Sequence, residues 1–383
     1  MLRYSEEFEK RRKKINEIIK ENKNKEEKII LQTIYSVSNI EDKHNDKDKL
    51  EKVKGTFFSD QKMKDLLNQF VKENFNNKGN KYYEELFQEV YNRQTKENGY
   101  EPRYLVEVSG ESANTNGYMI HGVNMLNINA GMIEKYKKVD EFSNNTDKKN
   151  ASTIGAHSLL TLIHETQHTF QSEGMMKFVL GEDVDDQHER ARNAICIARR
   201  SLATYVNYMN LDELDDEMDE LYSLMKDNYW VDYMEHDSNM APVKFINKQV
   251  KEGNLPNEVF LKAGRQRVIN DIHIKECTTS EEVDKALKER AEEMENVVRG
   301  YYRFFNKIFK DGEIKNSVSQ VLGEYLKVDE NGKSQFNKDL NKDFNMCLDY
   351  MKYVESVTAK KGNKTENQAK NNKTIDSEES FSM

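Results

Sequence analysis

The chain has 383 residues, 33% of them charged against 36% hydrophobic, and a formal net charge of −9. No apolar run is long enough to cross a bilayer, which excludes an integral helical membrane protein, and the acidic balance argues against general nucleic-acid binding, which needs a basic surface. The opening Met-Leu-Arg-Tyr-Ser-Glu-Glu-Phe-Glu-Lys lacks the apolar stretch of a signal peptide, so a cytoplasmic protein is expected.

Taken in chain order, the pattern predicts a helix from Glu6 to about Asn22. Its basic run Lys10-Arg11-Arg12-Lys13-Lys14 follows Glu6, Glu7 and Glu9 and reads as a solvated, self-paired face. Further helices are expected near Lys64 to Asn74 and Lys81 to Lys96, making residues 1–100 an N-terminal helical region. The character changes at Pro102: Tyr104 to Val108, Gly117 to Ile120 and Met125 to Asn129 are β-prone and predict a small sheet. The polar segment Asp140 to Ala151 reads as a surface loop, with Ser152 placed to cap the next helix.

That helix carries His164-Glu165-Thr166-Gln167-His168 among the apolar residues Ile154, Leu159, Leu160, Leu162, Ile163 and Phe170. Histidines four apart rise through one helix face and can share a metal ion, while the intervening glutamate projects beside them as a proton acceptor. The pattern points to one zinc ion per chain, held by His164 and His168, with Glu165 as general base. His157, seven residues earlier, reads as a capping or packing residue.

Beyond the motif the sequence is helical almost throughout, with helices expected around Asp186 to Tyr208, Asp212 to Asp227, Asn239 to Lys251, Glu281 to Val298 and Asn337 to Val354. Residues 251–356 form a C-terminal helical region, and 357–383, rich in Lys, Asn, Ser and Glu, read as a disordered tail. Cys196, Cys277 and Cys347 lie too far apart for a metal-ligand pair and read as small hydrophobes.

A catalytic zinc takes a third protein ligand. The best segment for it is Tyr233-Met234-Glu235-His236-Asp237, with His236, Asp237, His188 and Glu189 as chemically possible alternatives to Glu235. Over about residues 104–241 the order of small sheet, motif helix and glutamate-bearing segment resembles the zincin metallopeptidases of the gluzincin type. That resemblance implies an α+β, predominantly helical fold with a small mixed sheet packed on the active-site helix, and a metallopeptidase core at 101–250 between the two helical regions. It also implies Glu235 as third ligand, Asp237 as the carboxylate orienting a ligand imidazole, Met125 to Asn129 as an edge strand that pairs with substrate, and a peptide or protein substrate. Tyr229, Tyr233 and His236 lie in the sequence neighbourhood of an oxyanion donor. Sixty-six residues separate His168 from Glu235, and Pro242 predicts that the helix there does not run unbroken through Glu235. The rival from another class is an inactive zincin-like scaffold or a helical interaction protein.

Overall fold

The computed structural model describes the backbone of residues 6–378 apart from 23–24, 39–59, 77, 101, 103, 111–115, 121–124, 138–152, 183–185, 209–215, 217–219, 222, 224–230, 256–257, 272–273 and 275–276. The elements, in order, are α1 (Glu6–Glu21), α2 (Lys25–Ser38), α3 (Asp60–Asn68), α4 (Lys72–Phe75), α5 (Asn80–Glu97), β1 (Leu105–Ser109), β2 (Gly117–Ile120) and β3 (Met125–Asn129). They continue with α6 (Ala130–Lys137), α7 (Ile154–Val179), α8 (Gln187–Tyr208), α9 (Tyr233–Lys251), α10 (Glu258–Asp271), α11 (Ser280–Ile308), α12 (Glu313–Tyr325) and α13 (Gln335–Glu378). The protein is predominantly helical with one small mixed sheet packed on the motif helix. Among the described residues no helix is long and apolar enough to cross a membrane.

The sheet has the order β1-β3-β2, β1 running parallel to β3 and β2 antiparallel to it. Met125 to Asn129, expected at an edge, is therefore the central strand: both its sides are taken, and Leu126 to Asn129 are all buried. The outer side of β1 is closed by side chains of α5. Gln88 Oε1 accepts from Val106 N at 2.8 Å while its Nε2 donates to the Tyr104 carbonyl at 3.0 Å, so one amide supplies both bonds that a neighbouring strand would. Glu84 accepts from Val108 N at 3.3 Å. The outer edge of β2 has no strand beside it among the described residues, and Tyr118 is exposed there.

Helix α7 crosses this sheet enclosed on nearly every side. From Ile154 to Met176 only His157, Gln167 and His168 are partly exposed. Its buried hydroxyls turn back onto the helix: Thr166 donates to the Leu162 carbonyl at 2.7 Å and Ser172 to that of His168 at 2.9 Å, so each is satisfied within its own helix. Glycine permits the close crossings. A Cβ on Gly155 would lie 2.2 Å from the Phe70 carbonyl oxygen, and one on Gly117 of β2 would lie 2.8 Å from Asn127 O and 2.9 Å from Thr161 Cγ2.

The expected Ser152 cap and the loop from Asp140 to Ala151 lie outside the described residues; the cap position of α7 is Thr153, which makes no side-chain cap bond. Most of the expected helix Asp212 to Asp227 also lies outside them. Arg11 does not stay within α1: it pairs with Glu182 and, at 3.4 Å, with the buried Glu173 of α7. The last helix continues to Glu378, through most of the segment whose composition reads as a tail.

Helix α9 begins six residues earlier than the sequence suggests and passes through Pro242 unbroken. Proline lacks the N–H that would bond the Ser238 carbonyl, a local loss. Two contacts outweigh it: α9 packs along the length of α7, and its start is clamped. Asp232 accepts from Met234 N at 3.1 Å and receives both Nε and Nη2 of Arg199 of α8, at 2.8 and 2.6 Å. Buried apolar residues from Ile15 to Val354 join in one core around these helices.

Candidate metal centre

The Asp232 cap puts Glu235 in the first turn of α9, where the exposed N–H groups of a helix start favour a carboxylate. That turn lies against the part of α7 that carries the histidines. Glu235 Oε2 is 3.5 Å from Nε2 of His164 and 3.5 Å from Nε2 of His168. The imidazoles stand edge to face at 4.9 Å. One ligand atom from each of the three residues lies within 4.8 Å of the others, and theirs is the only such group of three His, Cys, Asp or Glu among the described residues. The triad matches the gluzincin His-Glu-x-x-His arrangement with its distal glutamate.

The donor set fits a zinc ion. Ligands about 2.0–2.1 Å from a tetrahedral zinc are themselves about 3.3–3.4 Å apart, close to both Nε2–Oε2 separations. At 3.5 Å these separations are too long for firm hydrogen bonds, and Glu235 Oε2 is buried with no hydrogen-bond partner. Two imidazoles and one carboxylate converging on one point with an orphaned oxygen between them form a cradle for a cation.

The electrostatics divide the three residues. Burial drives His164 down to about 4, against the opposing pull of Glu235. Burial also works against charge on His168, but Glu235, then Glu165 and Gln171, outweigh it and lift His168 to about 9. Burial alone would raise Glu235; the two imidazoles overrule it and hold the carboxyl well below its usual range. Glu165 is not one of the three converging ligands. Burial pushes it up to about 7, with Glu235 adding to the rise and His168 and Arg267 opposing it.

The remaining sequence candidates fall elsewhere. Asp237 does not touch a ligand imidazole: its Oδ2 accepts from Gln167 Nε2 at 2.8 Å and from Gln171 Nε2 at 2.9 Å, and Gln171 Oε1 in turn lies 2.9 Å from His168 Nδ1. The carboxylate expected beside the histidine thus stands one amide away. Burial would raise the Asp237 carboxyl, but Arg192 foremost holds it below its usual range. Tyr233 packs on Phe336, and His236 meets Phe344 edge-on with its Nε2 3.9 Å from Asp343; both face α13 and are not brought to the cluster. Tyr229 lies outside the described residues. His188 is bonded to Tyr325 and Asp339, and Glu189 accepts from Tyr100, so neither joins the ligands.

Sequence reasoning missed Gln171 and Arg267. Gln171 stands three residues after His168, which puts the two on one helix face, and its complete burial is the signal that a polar residue there has a task. Arg267, from α10, donates to Asn239 one turn beyond Glu235 at 3.1 Å, and its charge acts on His157, His164 and Glu165. No spacing in the sequence ties it to the motif.

Comparison with protein-family models, with curated proteins and with solved structures finds no match.

Proposed function

We propose that this chain is a zinc-dependent metallopeptidase in which His164, His168 and Glu235 hold the metal and Glu165 is the general base. The observation that carries the reading is the placement of the Glu235 carboxylate at 3.5 Å from both motif imidazoles. When bound, zinc supplies Lewis acidity, favouring deprotonation of the attacking water and polarising the scissile carbonyl. Glu165 takes the proton from that water and passes it to the departing amine. Burial raises its carboxyl above the ordinary range, which makes it a better proton acceptor than an exposed glutamate. Arg267 favours the base form by opposing the rise that burial imposes.

The outer edge of β2, without a neighbouring strand among the described residues, supports a peptide substrate over a small molecule. Gly117 brings that strand against Thr161, one helical turn before Glu165, so a peptide paired along β2 runs past the base.

The test uses the full chain with elemental analysis and a peptide library read by mass spectrometry. One zinc per chain is expected, lost in His164→Ala. Glu165→Gln is expected to keep the zinc and lose hydrolysis by roughly 10²- to 10⁴-fold. A wild-type chain that binds no zinc, or a Glu165→Gln chain that cleaves at the wild-type rate, overturns the reading.

A further inference from the structure

The two ligand imidazoles are held in different ways. Nδ1 of His164 is buried without a hydrogen-bond partner. Nδ1 of His168 meets Gln171 Oε1 at 2.9 Å and Ser238 Oγ at 3.1 Å. Gln171 is completely buried, and its amide has only one workable orientation. Its Nε2 faces the Met234 carbonyl at 2.9 Å, Asp237 Oδ2 at 2.9 Å and Ser238 Oγ at 3.2 Å. A carbonyl and a carboxylate only accept, so the amide nitrogen must be the atom that faces them, and the amide oxygen must face His168. An amide oxygen also only accepts. Nδ1 of His168 therefore carries the hydrogen, and in the neutral ring the lone pair belongs to Nε2, the atom turned toward Glu235.

All three partners of the Gln171 nitrogen lie in the first two turns of α9, the stretch that presents Glu235. One amide thus reads the position of the third ligand and sets the chemistry of the second. We propose that Gln171 is the positioning residue of the metal centre: anchored by Asp237 and the Met234 carbonyl, it locks His168 in its Nδ1–H tautomer and ties that imidazole to the helix start that delivers Glu235. The proposal rests on the zinc reading above and assigns the role that a directly bonded carboxylate would otherwise fill.

The experiment measures zinc affinity by competition with a chromophoric chelator and follows the His168 Nδ1–H resonance in the zinc-loaded, ¹⁵N-histidine-labelled chain. Gln171→Met keeps the volume but removes both halves of the amide; affinity is expected to fall roughly 10- to 100-fold, with the Nδ1–H resonance lost to solvent exchange. Gln171→Glu keeps the acceptor for Nδ1–H but turns a carboxylate on Asp237 and the Met234 carbonyl, and a similar loss is expected. Adding Asp237→Asn restores a donor opposite the introduced carboxylate, and the double variant Q171E/D237N is expected to regain most of the affinity and the resonance. A wild-type chain without zinc refutes the metal reading itself. A wild-type chain that binds zinc, with Gln171→Met binding as tightly and keeping the resonance, overturns only the role of Gln171. Should Gln171→Met fail to fold, a double variant no tighter than Gln171→Glu overturns it equally.

Discussion

Glu235 and His236 are adjacent in the chain and face different helices. Glu235 turns to α7 and its imidazoles, His236 to Phe344 and Asp343 of α13. Burial lowers His236 to about 4 from its ordinary 6.5, so the folded chain keeps it neutral while the unfolded chain takes up a proton below pH 6.5. Stability contributed by the neutral ring is present above pH 6.5 and is lost as pH falls toward 4, by about 1.4 kcal/mol per pH unit and about 2–3 kcal/mol at pH 4.5. Urea unfolding at pH 7 and pH 4.5 is expected to show a smaller pH-dependent loss in His236→Phe than in the wild type; an equal loss would show that His236 does not carry it. At this scale the sequence was legible where chemistry is local. His164, Glu165 and His168 stand out because helix geometry alone aligns them, whereas the direction of His236 depends on a helix about a hundred residues further along the chain.

Among the elements, the strands from Gly117 and from Met125 were legible in their β-prone residues, but their order was not. Nothing in Met125 to Asn129 says that it lies between two partners, because its buried asparagines read as an exposed face: Asn127 donates to Ser109 Oγ at 2.6 Å, and Asn129 accepts from Gly131 N at 3.0 Å. The pattern closes α11 at Val298, yet the helix runs on through Gly300, where a Cβ would meet Leu221 at 3.0 Å; Gly264 within α10 similarly makes room for the Tyr350 hydroxyl. Both glycines mark close packing. Gly117 is the one with consequences for the site. Gly117→Ala places a methyl 2.8 Å from Asn127 O and 2.9 Å from Thr161 Cγ2, so β2 must shift from α7 at a cost of about 1–3 kcal/mol. Zinc affinity is expected to stay within a few fold of wild type while peptide hydrolysis drops; unchanged hydrolysis despite the lost stability would separate β2 from substrate alignment.

For the whole molecule, the ligands come from two helices, with sixty-six residues between His168 and Glu235, and only the folded chain brings them together. A metal ion held by the three residues would add stability by binding the native state in preference to the unfolded one, about 2.7 kcal/mol at a hundredfold excess over Kd. Calorimetry is expected to show Tm falling by several degrees on chelation and recovering with added zinc, with no such response in His168→Ala; a Tm indifferent to chelator in the zinc-loaded wild type would mean that the metal is not held by a site made on folding. The gap itself was illegible because its closure depends on tertiary contacts, the packing of α9 along α7 and the fork of Arg199 on Asp232, that no local pattern announces. The small sheet raises a different matter, that of how copies of the chain meet. By giving β1 both a donor and an acceptor, Gln88 removes the template on which another chain could add a strand. A three-stranded sheet ordinarily has two sides at risk of edge-to-edge aggregation. Among the described residues the edge left for strand addition is that of β2, so a second copy would compete there with the peptide proposed above.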